Sequence, residues 1–125
     1  MKHTLALLAA FILVACGGSD VTDPPQPNDA GVYTWTSWNG HAIPYAHPDG
    51  HTYTGTLELK SGGSYDLNYT SANAEQMIIG TEHGGWVVRA DSLSFNNAYG
   101  ETWSCVRGQT LHCTWGGTSE WTRQQ

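Results

Sequence analysis

The sequence predicts an all-β protein: a small antiparallel up-and-down barrel of about eight strands, preceded by an export signal and a flexible tether. Three observations carry that expectation. From Gly31 onward, short runs rich in Trp, Tyr, Thr and Val place apolar residues at every second position, so that one face of each strand is greasy. Gly, Asn, Asp or Pro punctuates these runs at the spacing of an all-β fold, and no helical period is sustained. The connections are short enough for hairpins, which makes neighbours in sequence antiparallel neighbours in space. At 125 residues the chain holds one folded domain.

Residues 1–15 carry a cation at Lys2 and an unbroken apolar run from Leu5 to Ala15, the pattern of a cleaved export signal. The run falls well short of the roughly 20 residues needed to cross a hydrocarbon core. Leu13-Val14-Ala15-Cys16, followed by Gly17-Gly18-Ser19, resembles the bacterial lipobox. An ordinary secretory signal with an incidental cysteine is the alternative. The resemblance implies that Cys16 becomes the mature N-terminus and carries diacylglycerol and an amide-linked acyl chain. At about 0.8 kcal/mol per buried methylene, two or three such chains hold a protein stably at a membrane. Gly17 resembles the outer-membrane sorting class of Gram-negative lipoproteins, which implies a cell-envelope location.

Residues 16–30 contain three prolines, three aspartates and almost nothing apolar, so they cannot bury enough surface to fold. Pro24-Pro25-Gln26-Pro27 stiffens the middle of this tether at about 3.1 Å per residue.

In the domain, residues 31–125, strands are expected over 32–38, a short arm 41–45, 52–60, 64–70, 76–82, 85–90, 92–96, 101–107, 110–115 and 120–123. Leu57/Leu59, Tyr65/Leu67/Tyr69, Trp86/Val88, Leu93/Phe95, Trp103/Cys105 and Leu111/Cys113/Trp115 each form one inward face. Ser61-Gly62-Gly63, Gly84-Gly85, residues 96–100 and Gly108-Gln109 read as hairpin turns, and a turn of helix at 71–76 is the one helical candidate. Closing these strands into a barrel removes exposed edges; a two-sheet sandwich is the competing architecture.

Gly31-Val32-Tyr33-Thr34-Trp35, Asn39-Gly40, Ile43-Pro44, Gly55-Thr56-Leu57-Glu58-Leu59, Leu93-Ser94-Phe95 and Gly108-x-x-Leu111 resemble the small lipocalin-like domains of bacterial lipoproteins. Lipocalins begin with Gly-x-Trp and end with an arginine over that Trp; Gly31-Val32-Tyr33 and Arg123 are the nearest matches here. The resemblance implies a barrel with one open mouth, sometimes holding a small apolar ligand, and does not imply an enzyme.

With Cys16 committed to lipid, Cys105 and Cys113 remain, in a compartment where disulfides persist. A hairpin centred on Gln109 opposes Cys105 to Cys113 and Trp103 to Trp115. A two-residue type II′ loop starting at Gly108 would instead oppose Cys105 to His112. A disulfide closing so short a loop is worth about 2 kcal/mol.

Six tryptophans either fill the barrel or line a ligand site, for which Tyr33, Trp35, Trp86, Trp103 and Trp115 are the candidates. Trp35 and Trp38, three apart, share a face only across a bulge. His47-Pro48-Asp49-Gly50-His51 offers a candidate metal site in His47, Asp49 and His51, against the simpler reading of a solvated turn. No Gly-x-Ser-x-Gly, Walker loop or His-Glu-x-x-His is present, so no catalytic residue and no cofactor is assigned. With 5 Lys+Arg against 11 Asp+Glu, the chain lacks the clustered cations a nucleic-acid partner requires. The expected role is a small-molecule binding module anchored to a membrane, with two alternatives: an envelope interaction or structural protein with a filled barrel and an unspecified protein partner, or a weak metal-binding protein acting through the histidines.

Overall fold

The computed structural model describes residues 29–125; the expected export signal over 1–15, the expected lipidation site Cys16 and the expected tether as far as residue 28 lie outside them. The strands are β1 (Gly31–Trp38), β2 (His41–Ala42), β3 (Tyr45–Ala46), β4 (Thr52–Leu59), β5 (Ser64–Ala72), β6 (Met77–Arg89), β7 (Ser92–Asn97), β8 (Thr102–Val106), β9 (Thr110–Cys113) and β10 (Ser119–Arg123). Eight of them run up and down in the order β1-β10-β9-β8-β7-β6-β5-β4, and β4 pairs back onto β1 to close the barrel. A single self-closing sheet excludes the sandwich.

Alternation produces this closure. Tyr33, Trp35, Leu57, Leu59, Tyr65, Leu67, Trp86, Val88, Leu93, Phe95, Trp103, Cys105, Leu111, Cys113 and Trp121 all point inward and form one core. The interior is filled by aromatic rings: Phe95 stacks on Trp103 with centroids 3.8 Å apart, and Trp35 on Trp121 at 5.4 Å. Cys105 faces Cys113 in the β8–β9 ladder and the two form a disulfide. Gly108 lacks the positive φ that a type II′ turn would demand, so the alternative register does not arise.

Three local expectations are corrected. Gly84-Gly85 is not a turn: β6 runs unbroken through it, and Gly84 has no side chain because the backbone of β7 lies against it. A Cβ there would stand 2.0 Å from Asn96 O. Residues 71–76 form no helix, because Asn73 Oδ1 accepts from the N–H groups of Glu75 and Gln76 and closes a hairpin turn between β5 and β6. The arm over 41–45 divides into β2 and β3, two-residue strands on either side of the cis Ile43–Pro44 bond, riding on β1 and β4.

The two ends of the barrel differ. At the end where the tether arrives, Tyr33 donates to Asp29 O at 2.8 Å, Arg107 grips the Asp29 carboxylate through Nε and Nη2 at 3.1 and 2.7 Å, and Trp86 Nε1 donates to Lys60 O. Arg123, directly opposite Tyr33 in the β1–β10 ladder, donates to Ala30 O and sets its guanidinium 6.0 Å from the Tyr33 ring centroid. This end is plugged. The other end, formed by the 39–51 arm and the 73–76, 98–101 and 114–118 connections, is the mouth.

Candidate functional site

A β-bulge builds the mouth. Between Trp35 and Ser37 the β1–β10 register slips, with Trp35 opposite Trp121 and Ser37 opposite Glu120. The extra residue, Thr36, brings Trp35 and Trp38 onto one face, their rings 5.9 Å apart and tilted by 58°. Trp115 meets Trp35 edge-on at 5.6 Å, Tyr53 lies 5.3 Å from Trp38, and Tyr69 lies 5.5 Å from Trp115. Successive rings stand at 55–80° to each other rather than stacking flat. They therefore curve round a recess of about 180 Å³, floored and walled by Trp35, Trp38, Tyr53, Tyr69 and Trp115, with Gly116 at its rim.

Gly80 is the reason Tyr69 can serve as a wall. The two residues pair across β5 and β6, and the Tyr69 ring lies over Gly80 so closely that a Cβ would sit 2.0 Å from Cζ.

The indole N–H groups of the walls are already committed. Trp35 Nε1 donates to Ser37 O at 2.9 Å, Trp38 Nε1 to Gly116 O at 2.9 Å, and Trp115 Nε1 to Glu82 Oε2 at 3.2 Å. Glu82 also accepts from the Tyr65 hydroxyl at 2.6 Å and from Trp103 Nε1 at 2.9 Å, both on Oε1. Three donors thus hold one carboxylate behind the recess. Burial, followed by this bond to Glu82, pushes the Tyr65 hydroxyl pKa far above the ordinary phenol range.

The candidate lining residues are divided by the structure. Trp35 and Trp115 line the recess. Tyr33 and Trp86 do not: both are 1% exposed at the plugged end, because the tilted strands carry them below the mouth. Trp103 is 8% exposed and borders, with Glu82, Asn97, Glu101 and Trp115, a more polar groove of about 330 Å³ beside the recess. Trp38, Tyr53 and Tyr69 were not anticipated. Tyr69 was legible as inward-facing by alternation, whereas Trp38 needed the bulge. A larger hollow of about 390 Å³ lies on the outer wall beneath Ile43 and Pro44, lined mostly by Thr34, Thr54, Thr56, Asn68 and Thr70, the polar outward faces of their strands.

The candidate metal trio does not converge. His47 Nδ1 lies 3.1 Å from Asp49 Oδ1, and the His51 backbone N–H donates to that same oxygen, holding the Asp49 pKa below the usual carboxylate range. The His51 ring is engaged elsewhere, with Nδ1 2.9 Å from Ser71 Oγ and Nε2 3.2 Å from Asn73 Nδ2. Among the described residues no three His, Cys, Asp or Glu side chains are placed to hold a metal ion.

The Ser71–His51 contact has the residue types of a nucleophile–base pair but the wrong polarity. Asn73 Oδ1 is fixed by the two turn N–H groups, so its amide nitrogen faces His51 Nε2, which must accept. The His51 proton then resides on Nδ1 and is donated to Ser71, leaving no base for the Ser71 hydroxyl.

No protein-family model, no curated protein and no solved structure matches this chain.

Proposed function

We propose that the protein is a lipid-anchored cell-envelope lipoprotein with a non-catalytic, lipocalin-like barrel that binds a small ligand of single-ring size in its aromatic mouth. The observation that carries this reading is the five-ring recess at the end opposite Asp29. The chain enters the barrel at the plugged end, through Asp29 and Ala30, which leaves the mouth at the end opposite its point of entry. The placement of Arg123 over Tyr33 supports the lipocalin-like part of the reading. The barrel interior is occupied by its own rings, so the ligand sits in the mouth. A recess of about 180 Å³ is comparable with the roughly 150 Å³ apolar cavity that accepts benzene and too small for drug-sized molecules.

The test is tryptophan fluorescence of the protein titrated with toluene and with phenol. Saturable quenching or a blue shift is expected, weakened at least tenfold in Trp38→Leu with thermal unfolding still cooperative. An unchanged spectrum throughout, or a response that Trp38→Leu leaves intact, would refute the reading.

A second reading, an envelope interaction protein, draws on β6. Between Met77 and Glu82 this strand pairs with β5 alone, since its ladder with β7 begins at Gly84. Met77 and Ile79 on that segment are 66% and 63% exposed. An open strand edge carrying exposed apolar side chains is a site for pairing with another strand. Charging it by Ile79→Lys would abolish such an association without altering ligand quenching.

A further inference from the structure

We infer that the ligand of the aromatic recess is a small organic cation bearing a quaternary or fully methylated ammonium head, an inference that rests on the small-ligand reading above and specifies it. Four independent features of the mouth converge on a positive, weakly hydrated guest.

The first is the shape of the π surface. Trp35, Trp38, Tyr53, Tyr69 and Trp115 surround the recess at mutual tilts of 55–80°, so a guest meets ring faces and edges from several sides at once. Ring faces carry the negative lobe of the aromatic quadrupole, and a cage of them stabilises a cation, with Trp the strongest contributor. A sugar stacks on one flat platform, which walls standing at 55–80° to one another do not form.

The second is the committed indole nitrogens. Trp35, Trp38 and Trp115 spend their N–H groups on Ser37 O, Gly116 O and Glu82, so none of the three offers its indole donor to a carboxylate, phosphate or sugar hydroxyl.

The third is Glu82. Its charge lies against the Trp115 indole nitrogen, on the far side of a recess wall, and enriches that wall for a cation. Three of its about four acceptor positions are taken by Tyr65, Trp103 and Trp115, and it borders the neighbouring groove rather than the recess. A primary ammonium, which must replace the hydrogen bonds it makes to water, finds no carboxylate among the residues that line the recess. A methylated ammonium has no N–H to satisfy.

The fourth is the distribution of charge along the barrel. The described residues contain four Lys and Arg side chains, Lys60, Arg89, Arg107 and Arg123, and all four lie at the plugged end, in or beside its turns and the chain termini. Lys60 pairs with Asp66 and Arg107 with Asp29. The mouth connections and the inner wall below them carry Asp49, Glu75, Glu82 and Glu101 and, among the described residues, no Lys or Arg. The field therefore draws cations toward the recess and repels anions.

The experiment titrates the full-length protein, by tryptophan fluorescence and by calorimetry, with choline, with tetramethylammonium, and with the uncharged analogue of choline in which a tert-butyl group replaces the trimethylammonium head. The analogue matches choline in shape and removes the charge. Saturable binding of both cations is expected, choline at least tenfold tighter than its neutral analogue, with loss of that binding in Trp38→Leu. Glu82→Gln is expected to weaken the cations several-fold and leave the neutral analogue within twofold. Near-ultraviolet circular dichroism and a cooperative melt establish that each variant is folded. Equal or tighter binding of the neutral analogue would overturn the cation assignment and leave an apolar ligand at the same recess. No response to any of the three, together with none to toluene or phenol, would overturn both.

Discussion

Two adjacent glycines in the middle of β6 are expected to respond oppositely to the same substitution. At Gly84 an added Cβ would lie 2.0 Å from Asn96 O, 2.8 Å from Asn97 Cα and 2.9 Å from Asn96 C, all of them backbone atoms of the neighbouring strand. Normal contact for such atoms is about 3.5 Å, so β6 and β7 must part by more than an ångström. The strain falls where Asn97 organises the next turn, accepting from Tyr99 N and Glu101 N through Oδ1. Overpacking of this kind costs about 1–3 kcal/mol. The loss of chain entropy in the unfolded state offsets about 0.4–1 kcal/mol of that. Net destabilisation of Gly84→Ala is therefore about 1.3 kcal/mol, a fall in Tm of roughly 5–10 °C for a domain of this size. At Gly85 the nearest atom to an added Cβ is Gly63 O at 3.6 Å, an ordinary contact, and only the entropy term remains. Gly85→Ala should raise Tm by roughly 2–8 °C. Thermal and urea unfolding of the two variants beside the parent decide the matter. A Gly84→Ala protein as stable as the parent, or a Gly85→Ala protein that falls as far, would refute the close-approach account of β6.

Gly80→Ala should act differently, because the clashing atoms belong to the movable ring of Tyr69; we expect a stability loss below about 1 kcal/mol with the recess distorted, seen as altered tryptophan emission and weakened ligand quenching. Tyr33 and Tyr65 both have raised pKa values, chiefly from burial. A group whose folded-state pKa exceeds its unfolded value near 10 contributes fully below that pH and loses its contribution above it. Stability should therefore decline as pH rises past about 10, with tyrosinate absorbance from these two residues appearing only on unfolding; Tyr65→Phe should flatten the decline. Replacing Cys105 and Cys113 together by Ala removes a cross-link of sequence separation 8 and should lower the free energy of unfolding by about 2–3 kcal/mol, read from the urea midpoint.

Much of the barrel was legible because its information is local. Alternation at Leu57/Leu59, Tyr65/Leu67 and Leu93/Phe95 depends only on the two-residue period of a strand, and short turns such as Ser61-Gly62-Gly63 force antiparallel neighbours. Counting outward from Gln109 offered the Cys105–Cys113 pair, and the backbone at Gly108 decided for it over the register that opposes Cys105 to His112. The reading failed where a local pattern serves a distant contact. Gly84-Gly85 resembles a turn in sequence, yet Gly84 is there because β7 passes within reach of its Cα. The same limit hid Trp38, whose inward position depends on a register slip against β10, a strand some eighty residues away.

The sequence by itself determined most of the strands, their inward faces and the hairpin order, and narrowed the disulfide hairpin to two registers, since each is set by spacing along one or two adjacent strands. Only the tertiary structure decided which aromatics fill the barrel and which enclose the recess, because that depends on strand tilt, on the bulge at Thr36 and on the bare surface of Gly80. It also decided the charge polarity. Lys60, Arg89, Arg107 and Arg123 are scattered in sequence, and they gather at one end because alternate strand termini of an up-and-down barrel meet there.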